Sequence, residues 1–302
     1  MGSYGSIFRD VAVINDSLIW AVGELRDSAR NYYGAAIWNG ENWQLKQLIS
    51  QFNVNVRPDG FWVFSEDNIW FAHGSISHWD GNKVKQLWPE TYIVPPIGLR
   101  RIWAANENAI FFVGNNGAAM HYDGSSFITM ETGTDIELTD VWGTGPDNVW
   151  ASGYTETVGT IILHYDGSSW SKFHERSRDE CVHLDTAVIS GPAVSVWTDS
   201  KDYIWVITYW GLYKVNSKDS RDFILYPEMD GWVNKLRGTA VNDIVICGDF
   251  TDYWHFNGKS IFYYPEFKGR VNFLSITTHN NNFYIGGVDY NSGKAILLSS
   301  RR

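Results

Sequence analysis

The chain of 302 residues has a formal net charge of −10, with 24 basic and 34 acidic side chains. This balance excludes the broad cationic surface that binds phosphate backbones, so we expect no nucleic-acid partner. Hydrophobic residues make up 44% of the chain, enough for a substantial core, but no apolar run reaches the roughly 18 residues of a membrane span.

The N-terminal residues and the cysteines bear on location. Residues 1–10, MGSYGSIFRD, do not have the basic and apolar pattern of a signal peptide. We therefore expect either an extracytoplasmic protein, secreted or periplasmic, whose leader has been removed, or a cytoplasmic protein. Cys181 and Cys247 are the only cysteines, so no disulfide framework is expected.

A hairpin of two short strands recurs along the chain. In residues 139–155 the apolar runs VWGT and NVWASG flank the turn GPDN, a pattern typical of β-strands. One residue of each first strand and one of each second strand serve as landmarks of the repeat. These landmark pairs, each eight residues apart, are Ala12 and Trp20, Trp62 and Trp70, Trp103 and Phe111, Trp142 and Trp150, Trp197 and Trp205, Arg237 and Val245, and Ile276 and Tyr284.

A second signature ends the third strand of most repeats, where Asn-Gly or Asp-Gly supplies the positive φ of a hairpin turn. It reads IWNG at 37–40, HWDG at 78–81, HYDG at 121–124 and 164–167, and HFNG at 255–258, with KVNS at 214–217 in the fifth repeat. His78, His121, His164 and His255 share one position in four repeats, so they cannot converge on one metal ion. We expect a structural hydrogen bond there, and we predict no metal and no cofactor.

Seven such sheets at a spacing of about 40–45 residues predict a β-propeller. The predicted fold class is all-β: a seven-bladed propeller of four-stranded antiparallel blades, whose last blade lacks a fourth strand of its own. A single domain spans residues 1–302. Its blades are predicted at 7–48, 59–89, 99–131, 138–173, 193–226, 233–265 and 271–300. We expect Met1–Ser6 to lie beside the incomplete blade and to pair with Leu297–Ser300.

Two stretches carry a resemblance to known propeller families. DVWGTGPDNVWASG at 140–153, followed by ILHYDGSSW at 162–170, resembles the Trp-rich repeats of exported bacterial proteins. DSKDYIWVITYWGLYKVN at 199–216 is similar to the two-component-regulator propeller repeat, which also occurs in bacterial sensor ectodomains. The resemblance covers nearly the whole chain, most closely in blades two to four. It implies the fold and an exported bacterial protein, but no catalytic motif.

Length variation between the repeats points to one face of the ring. The longest insertions, Glu24–Gly34, Gln47–Asp59, Trp88–Gly98 and His174–Pro192, follow second or fourth strands. Up-and-down alternation places all of them on the face where the first strands begin, which we call the variable face. Loops on a rigid scaffold are where binding residues usually lie. The protein is therefore predicted to be a non-catalytic binding module, and a monomer, with a carbohydrate, peptide or protein ligand on this face.

Residues that begin the first strands should line the channel mouth, where acidic side chains mix with basic ones. Aromatic side chains in or beside the variable loops add the surface that a sugar or peptide requires. The predicted ligand-binding residues are Arg57, Asp59, Arg100, Arg101, Asp140, Lys235, Tyr32, Tyr33, Tyr154, Tyr209 and Trp210. The alternative for the charged residues is that they pair with one another across blades. The alternative for Trp210 is that it occupies an ordinary loop position of the repeat. Because Arg101 stands at a strand end, its replacement by Ala is expected to leave folding nearly intact.

The alternative function is an enzyme of the propeller-lyase or glycoside-hydrolase type with its site at the channel mouth. Asp10, Asp59 and Asp140 are the carboxylates that such an enzyme would use across the mouth. Cys181, His183 and Asp185 lie in the longest insertion and suggest a thiol nucleophile. Adjacent loop residues rarely face one another productively, so we favour no catalytic residue.

Overall fold

The computed structural model describes residues 1–87, 98–155, 159–177, 179, 186–227, 229, 232–250, 253–266 and 268–300. Within these residues the strands form seven consecutive antiparallel blades, the first six of four strands and the last of three. The strands of each blade are hydrogen-bonded in chain order, and blades six and seven join into one sheet where Asp249 pairs with Asn272. The predicted fold class is thereby confirmed, including the missing fourth strand of blade seven.

The strand bounds follow in chain order. Blades one to three contain β1 (Ile7–Asn15), β2 (Leu18–Arg26), β3 (Tyr32–Trp38), β4 (Trp43–Lys46), β5 (Gly60–Ser65), β6 (Asn68–Ala72), β7 (Ile76–Trp79), β8 (Val84–Leu87), β9 (Leu99–Asn106), β10 (Ala109–Gly114), β11 (Ala119–Tyr122) and β12 (Phe127–Met130). Blades four to seven contain β13 (Leu138–Gly145), β14 (Asn148–Thr155), β15 (Gly159–Tyr165), β16 (Trp170–Ser177), β17 (Ala193–Trp197), β18 (Tyr203–Thr208), β19 (Gly211–Asn216), β20 (Phe223–Tyr226), β21 (Trp232–Ala240), β22 (Asp243–Asp249), β23 (Tyr253–Phe256), β24 (Ile261–Tyr264), β25 (Val271–His279), β26 (Asn282–Asp289) and β27 (Lys294–Ser299).

The first strands of the blades form an inner ring around the channel. Each contacts the first strand of the next blade, and β25 contacts β1, so the ring is closed. The core lies between blades. One cluster, for example, joins Trp20 and Val22 of blade one to Phe61, Ile69 and Phe71 of blade two. A blade cannot bury both faces alone, and stacking its neighbours against it solves that problem.

The landmark register holds in six blades and fails in the seventh. Trp142 pairs with Trp150, and five other landmark pairs are opposite one another in the same way. In blade seven, however, Ile276 pairs with Ile285, and Thr277 pairs with Tyr284. This hairpin turns through two residues, Asn280 and Asn281, both with positive φ. The hairpins of blades one, two, three, four and six also turn through two residues, but each has a register shift beside the turn. Blade seven lacks that shift, so its hairpin is one position shorter, the eight-residue spacing is wrong there and Thr277 is the landmark.

The repeated histidines make the expected structural hydrogen bond in three of four blades. His78 Nε2 is 2.9 Å from Asn68 Oδ1, and His164 Nε2 is 3.0 Å from Asn148 Oδ1. His255 Nε2 is 2.8 Å from a carboxylate oxygen of Asp243. His121 is the exception: its buried Nε2 has no partner within the described residues.

The N-terminal segment closes the ring differently from the prediction. Met1 pairs with Ala295: the Met1 ammonium donates to its carbonyl at 2.5 Å, and the Ala295 amide donates back at 3.0 Å. Gly5 then donates to the Gly293 carbonyl at 2.7 Å. Gly2 and Gly5 both have positive φ, so the segment turns across the edge of β27 and does not run along it. The expected pairing with Leu297–Ser300 is therefore wrong.

Candidate functional site

The channel mouth is built by residues at the start of the inner strands. A cavity of about 150 Å³ lies there, lined by Arg9, Arg101, Thr139, Tyr154, Val194, Asn234 and Leu274. A second cavity of about 230 Å³ is lined by inner-strand side chains, among them Asp10, Trp62, Arg101, Trp142, Lys235 and Arg237. Of the charged residues predicted for the mouth, Arg101 borders both cavities and Lys235 lines the second.

Asp140 is the centre of this charged group. Its side chain is 1% exposed and receives Lys235 Nζ at 2.6 Å. Arg237 reaches the same carboxylate with both terminal nitrogens, at 2.8 and 2.9 Å. The Ser195 hydroxyl donates to it as well. We call Asp10, Arg101, Asp140, Ser195, Lys235 and Arg237 the axial cluster. The Asp140 carboxylate is thus fully engaged by its neighbours.

Electrostatics follow from this burial and pairing. Burial opposes ionisation of Asp140, but Arg237 and Lys235 outweigh it and hold its pKa below the usual value. Burial and the neighbouring Arg237 guanidinium lower the pKa of Lys235 to about 8, against the attraction of Asp140. Burial raises the pKa of Asp10, against the opposing influence of Lys235 and Arg101.

Acceptor side chains at one position of the inner strands link each blade to the next. The Asp10 carboxylate accepts from the Phe61 amide at 3.2 Å, and Asp140 accepts from the Val196 amide at 3.3 Å. The Ser195 hydroxyl accepts from the Leu236 amide at 3.2 Å. The position that the sequence predicted for ligand contact therefore has a structural use in blades one, four and five.

Arg101 also links blades, which contradicts the premise on which the expectation about its replacement depends. Its Nε donates to the Thr139 carbonyl of blade four at 2.9 Å. Its Nη1 donates to the Asp59 carbonyl of blade two at 3.0 Å. Charged hydrogen bonds to backbone groups on both flanking blades contribute more than a strand-end surface residue does.

A more exposed ion pair network lies beside the mouth. Asp59 receives Arg100 Nη1 at 3.0 Å and approaches Arg9 Nε at 3.5 Å. Arg100 Nε also donates to Asn115 Oδ1 at 2.9 Å. The only ion pair of Arg9 within the described residues is the Asp59 contact, and Arg9 also lines the mouth cavity.

Aromatic side chains follow the variable face from blade four to blade seven. The Tyr154 and Tyr209 hydroxyls are 2.6 Å apart, and the Tyr209 and Trp232 rings meet edge to face at 4.9 Å. Trp232 pairs with Asp249, the residue before Phe250, and Phe250 stacks on Tyr290 at 5.1 Å. Trp232, Phe250 and Tyr290 are 58%, 53% and 46% exposed. We call Tyr154, Tyr209, Trp232, Phe250 and Tyr290 the aromatic arc.

Sequence reasoning found Tyr154 and Tyr209 but missed the other three members of the arc. Tyr154 and Tyr209 each lie shortly after the second-strand landmark of their blade, and so do Phe250 and Tyr290. An aromatic residue near the end of the second strand in each of blades four to seven could therefore have identified Phe250 and Tyr290 from the sequence. No sequence pattern marks Trp232, because it begins β21 in a blade whose landmarks, Arg237 and Val245, are not aromatic.

The other predicted site residues lie elsewhere. Tyr32 and Arg57 belong to a patch on blade one, where Arg26 and Arg57 cover the Tyr32 ring at 4.6 and 5.2 Å. The Tyr33 hydroxyl donates to Asp27 Oδ2 at 3.0 Å. Trp210 lies so close to Gly191 that a Cβ there would come within 2.0 Å of its ring, which favours packing as its role.

No model of a protein family and no curated protein sequence matches the chain. Several solved structures match the chain. YCF48 bound to D1 peptide has a TM-score of 0.69 at 14% identity, with 99% of this chain and 95% of that chain covered. Virginiamycin B lyase from Staphylococcus aureus has a TM-score of 0.71 at 12% identity, with 99% and 96% covered. The extracellular domain of BT4673, a two-component-system protein of B. thetaiotaomicron, has a TM-score of 0.69 at 11% identity.

These likenesses concern the fold. The BT4673 match covers all of this chain but 39% of the other. It confirms the predicted similarity to propellers of sensor proteins at the level of architecture. Identities this low carry no activity from one propeller to another, because the fold hosts many functions.

The described part of the chain contains no cluster of three or more metal-ligating side chains and no helix that could cross a membrane. The loop residues Cys181, His183 and Asp185 lie outside the described residues.

Proposed function

We propose that the protein is a binding module that holds a peptide or protein segment on its variable face. The observation that carries this proposal is the aromatic arc, in which Trp232, Phe250 and Tyr290 are about half exposed and Tyr154 lines the cavity at the channel mouth. Exposed aromatic groups clustered on one face are typical of interaction sites.

The polar atoms of the arc favour a peptide over a carbohydrate. The Tyr154 and Tyr209 hydroxyls meet each other, and Tyr290 Oη accepts from Asn272 Nδ2 at 3.1 Å. The hydroxyls thus face protein groups, and the arc offers ring surface and edges. A sugar requires several directed hydrogen bonds in addition to stacking, whereas apolar peptide side chains need ring surface above all. The match to a propeller with a bound peptide is compatible with this choice but does not decide it.

Charge supplies the second part of the proposed site. Arg9 lines the mouth cavity, and its only ion pair among the described residues is the 3.5 Å contact of Nε with Asp59. A guanidinium in this position suits a carboxylate on the ligand. We therefore infer that the bound segment places apolar side chains on the arc and an acidic group at Arg9.

The enzyme alternative is less well supported by the carboxylates. Asp140 accepts from two cations, and Asp59 is ion-paired with Arg100. Asp10 accepts backbone amides from Val11 and Phe61. A glycoside hydrolase needs one carboxylate free to act as base or nucleophile and another as acid. Asp10, with its raised pKa, fits the acid, but the other two carboxylates are already engaged.

The experiment is a selection from a random peptide library, run beside a glycan array, with Trp232→Ala as the test variant. Ile224→Ala is the matched control, because Ile224 is 55% exposed on the outer strand β20. Selected peptides should lose about 2 kcal/mol or more of binding free energy with W232A and little with I224A. Peptides that bind W232A normally, or glycans alone that depend on Trp232, would overturn the proposal.

We also propose an extracytoplasmic location and a monomeric state. The resemblance of the repeats to exported bacterial propellers and the fold shared with an extracellular domain support the location. Fractionation of the source cells, and light scattering of the purified protein, test the two statements separately.

A further inference from the structure

Blade seven has an open outer edge. In the other six blades a fourth strand covers the third, but β27 ends its sheet. Among the described residues, Met1 is the backbone partner on the outer side of this strand, and it pairs with Ala295 alone. Backbone groups alternate in direction along a strand, so Leu297 and Ser299 present their amides and carbonyls outward as Ala295 does. The Ser300 amide points inward, to the Phe283 carbonyl at 3.0 Å, in agreement with this alternation.

Cavities flank this edge on both faces of the blade. Toward blade six, a cavity of about 160 Å³ is lined by Val245, Tyr253, Phe283, Ile285, Leu298, Ser299 and Ser300. Toward blade one, a cavity of about 580 Å³ is lined by Asp16, Ile19, Trp38, Trp43, Asn282, Tyr284, Leu297, Ser299 and Ser300. The side chains of a fourth strand would fill these spaces alternately, since successive residues point to opposite faces of a sheet.

The repeat explains the smaller cavity. In other blades an aromatic residue ends the third strand opposite a buried aliphatic residue, as Trp79 lies opposite Ile69 and Tyr165 opposite Val149. The corresponding partner of Phe283 in blade seven is Ser300. A small side chain therefore stands where the repeat places a ring, and the space beside it is apolar.

From this we propose that the β27 edge binds an extended segment of a partner protein, which adds an antiparallel fourth strand to blade seven. Unpaired backbone groups with pockets for alternate side chains are the elements of strand addition. The segment carries apolar residues, one of them aromatic, on the side facing blade six. This edge is separate from the variable face, so the inference does not rest on the proposed function.

A second copy of the chain does not fit this edge. The outer strands β4 and β24 of the neighbouring blades project one strand further from the axis than β27. The edge is thus recessed by about 4.8 Å, the spacing of paired strands. Two recessed edges cannot meet without a clash of the flanking blades, whereas a single extended segment fits between them.

The probe is the labelled heptapeptide lysine–threonine–phenylalanine–threonine–isoleucine–threonine–lysine, whose two apolar residues share one face. When the phenylalanine and isoleucine side chains face blade six, the backbone amides of the threonines point toward β27. This follows because side-chain and backbone directions alternate together along a strand. N-methylation of the threonines should abolish binding, and N-methylation of the phenylalanine and isoleucine should leave it nearly unchanged. Equal effects of the two modifications would overturn strand addition.

On the protein, Ser299→Pro removes an outward amide, and Ser299→Ala is the matched control because this side chain is exposed. Proline is tolerated where the amide of an edge strand faces solvent. Both variants should melt like the parent, and S299P should bind the probe about tenfold more weakly than S299A. Equal binding by the two variants, no binding by the parent up to the solubility of the probe, or a dimer in light scattering that S299P dissociates would each refute the proposal.

Discussion

Asp140 and Lys235 belong to blades four and six, yet their side chains meet at 2.6 Å with blade five between them in the ring. Arg237, on the same strand as Lys235, adds two further bonds to the same carboxylate. One buried carboxylate thus holds three blades together at the channel, because Ser195 of blade five also donates to it. The mouth is shaped by this contact before any ligand arrives.

Replacement of Asp140 by Asn should destabilise the protein by about 3 kcal/mol or more. The change keeps the volume but leaves two buried cations without their counter-ion, which is the costly way to break a buried pair. Urea denaturation of the parent and D140N measures the difference.

The control for this variant is Asp147→Asn. Asp147 binds Lys201 at 2.8 Å, but the two side chains are 57% and 64% exposed. An exposed pair contributes about 0–1 kcal/mol. Equal losses in D140N and D147N would mean that burial of the axial cluster has no energetic consequence.

Arg101→Ala should cost about 2 kcal/mol of stability. The guanidinium joins the Thr139 carbonyl to the Asp59 carbonyl, and each charged hydrogen bond contributes about 1.5–3 kcal/mol before allowance for solvent. Arg9→Ala, at the same mouth, loses only a 3.5 Å contact and should cost under about 0.5 kcal/mol. Thermal melts of both variants test this; an R101A melt that matches R9A would show that the blade links of Arg101 carry no stability.

The sequence predicted the fold well because its signals are local. The Trp142 and Trp150 pairing, and the glycine turns such as Gly167 with φ of 96°, depend on neighbours a few residues away. The site was predicted less well because its contacts join distant blades. Lys235 and Asp140 were both chosen as mouth residues, but that they would neutralise each other depends on side-chain reach across the channel. Blade seven was misread because its hairpin lacks the register shift that other blades have beside this turn, which removes one position, and no landmark aromatic marks its first strand.

Stability should fall as the pH drops below about 6.5. Burial lowers the pKa of His73, His78, His121 and His164 in the folded protein from the ordinary value of 6.5. The unfolded chain then binds protons that the folded chain does not, so the stabilising contribution is complete above 6.5 and is lost as the pH falls through the folded pKa values. Urea midpoints at pH 7.5 and pH 5 measure the loss.

The variant His164→Gln isolates this contribution, because it removes one titrating group while glutamine can still donate to Asn148. Its stability should change less between the two pH values than that of the parent. Asp10 and Asp249, whose pKa values are raised by burial, act in the opposite direction in acid, but they are the same in both proteins. A pH dependence as large in H164Q as in the parent would count against the assignment.

Ala109→Asn should stabilise blade three by about 0.5–1 kcal/mol, the typical net contribution of one hydrogen bond. Ala109 stands where the other histidine blades carry Asn68, Asn148 or Asp243, and His121 Nε2 is buried without a partner in the described part of the chain. In blade four the same asparagine position serves both His164 and the Trp150 indole, at 3.0 and 3.1 Å. Ala109→Leu is the control of similar volume without an acceptor, and it should destabilise by overpacking. Thermal melts that show A109N no more stable than the parent would mean that the buried Nε2 is satisfied in solution by another group, such as water.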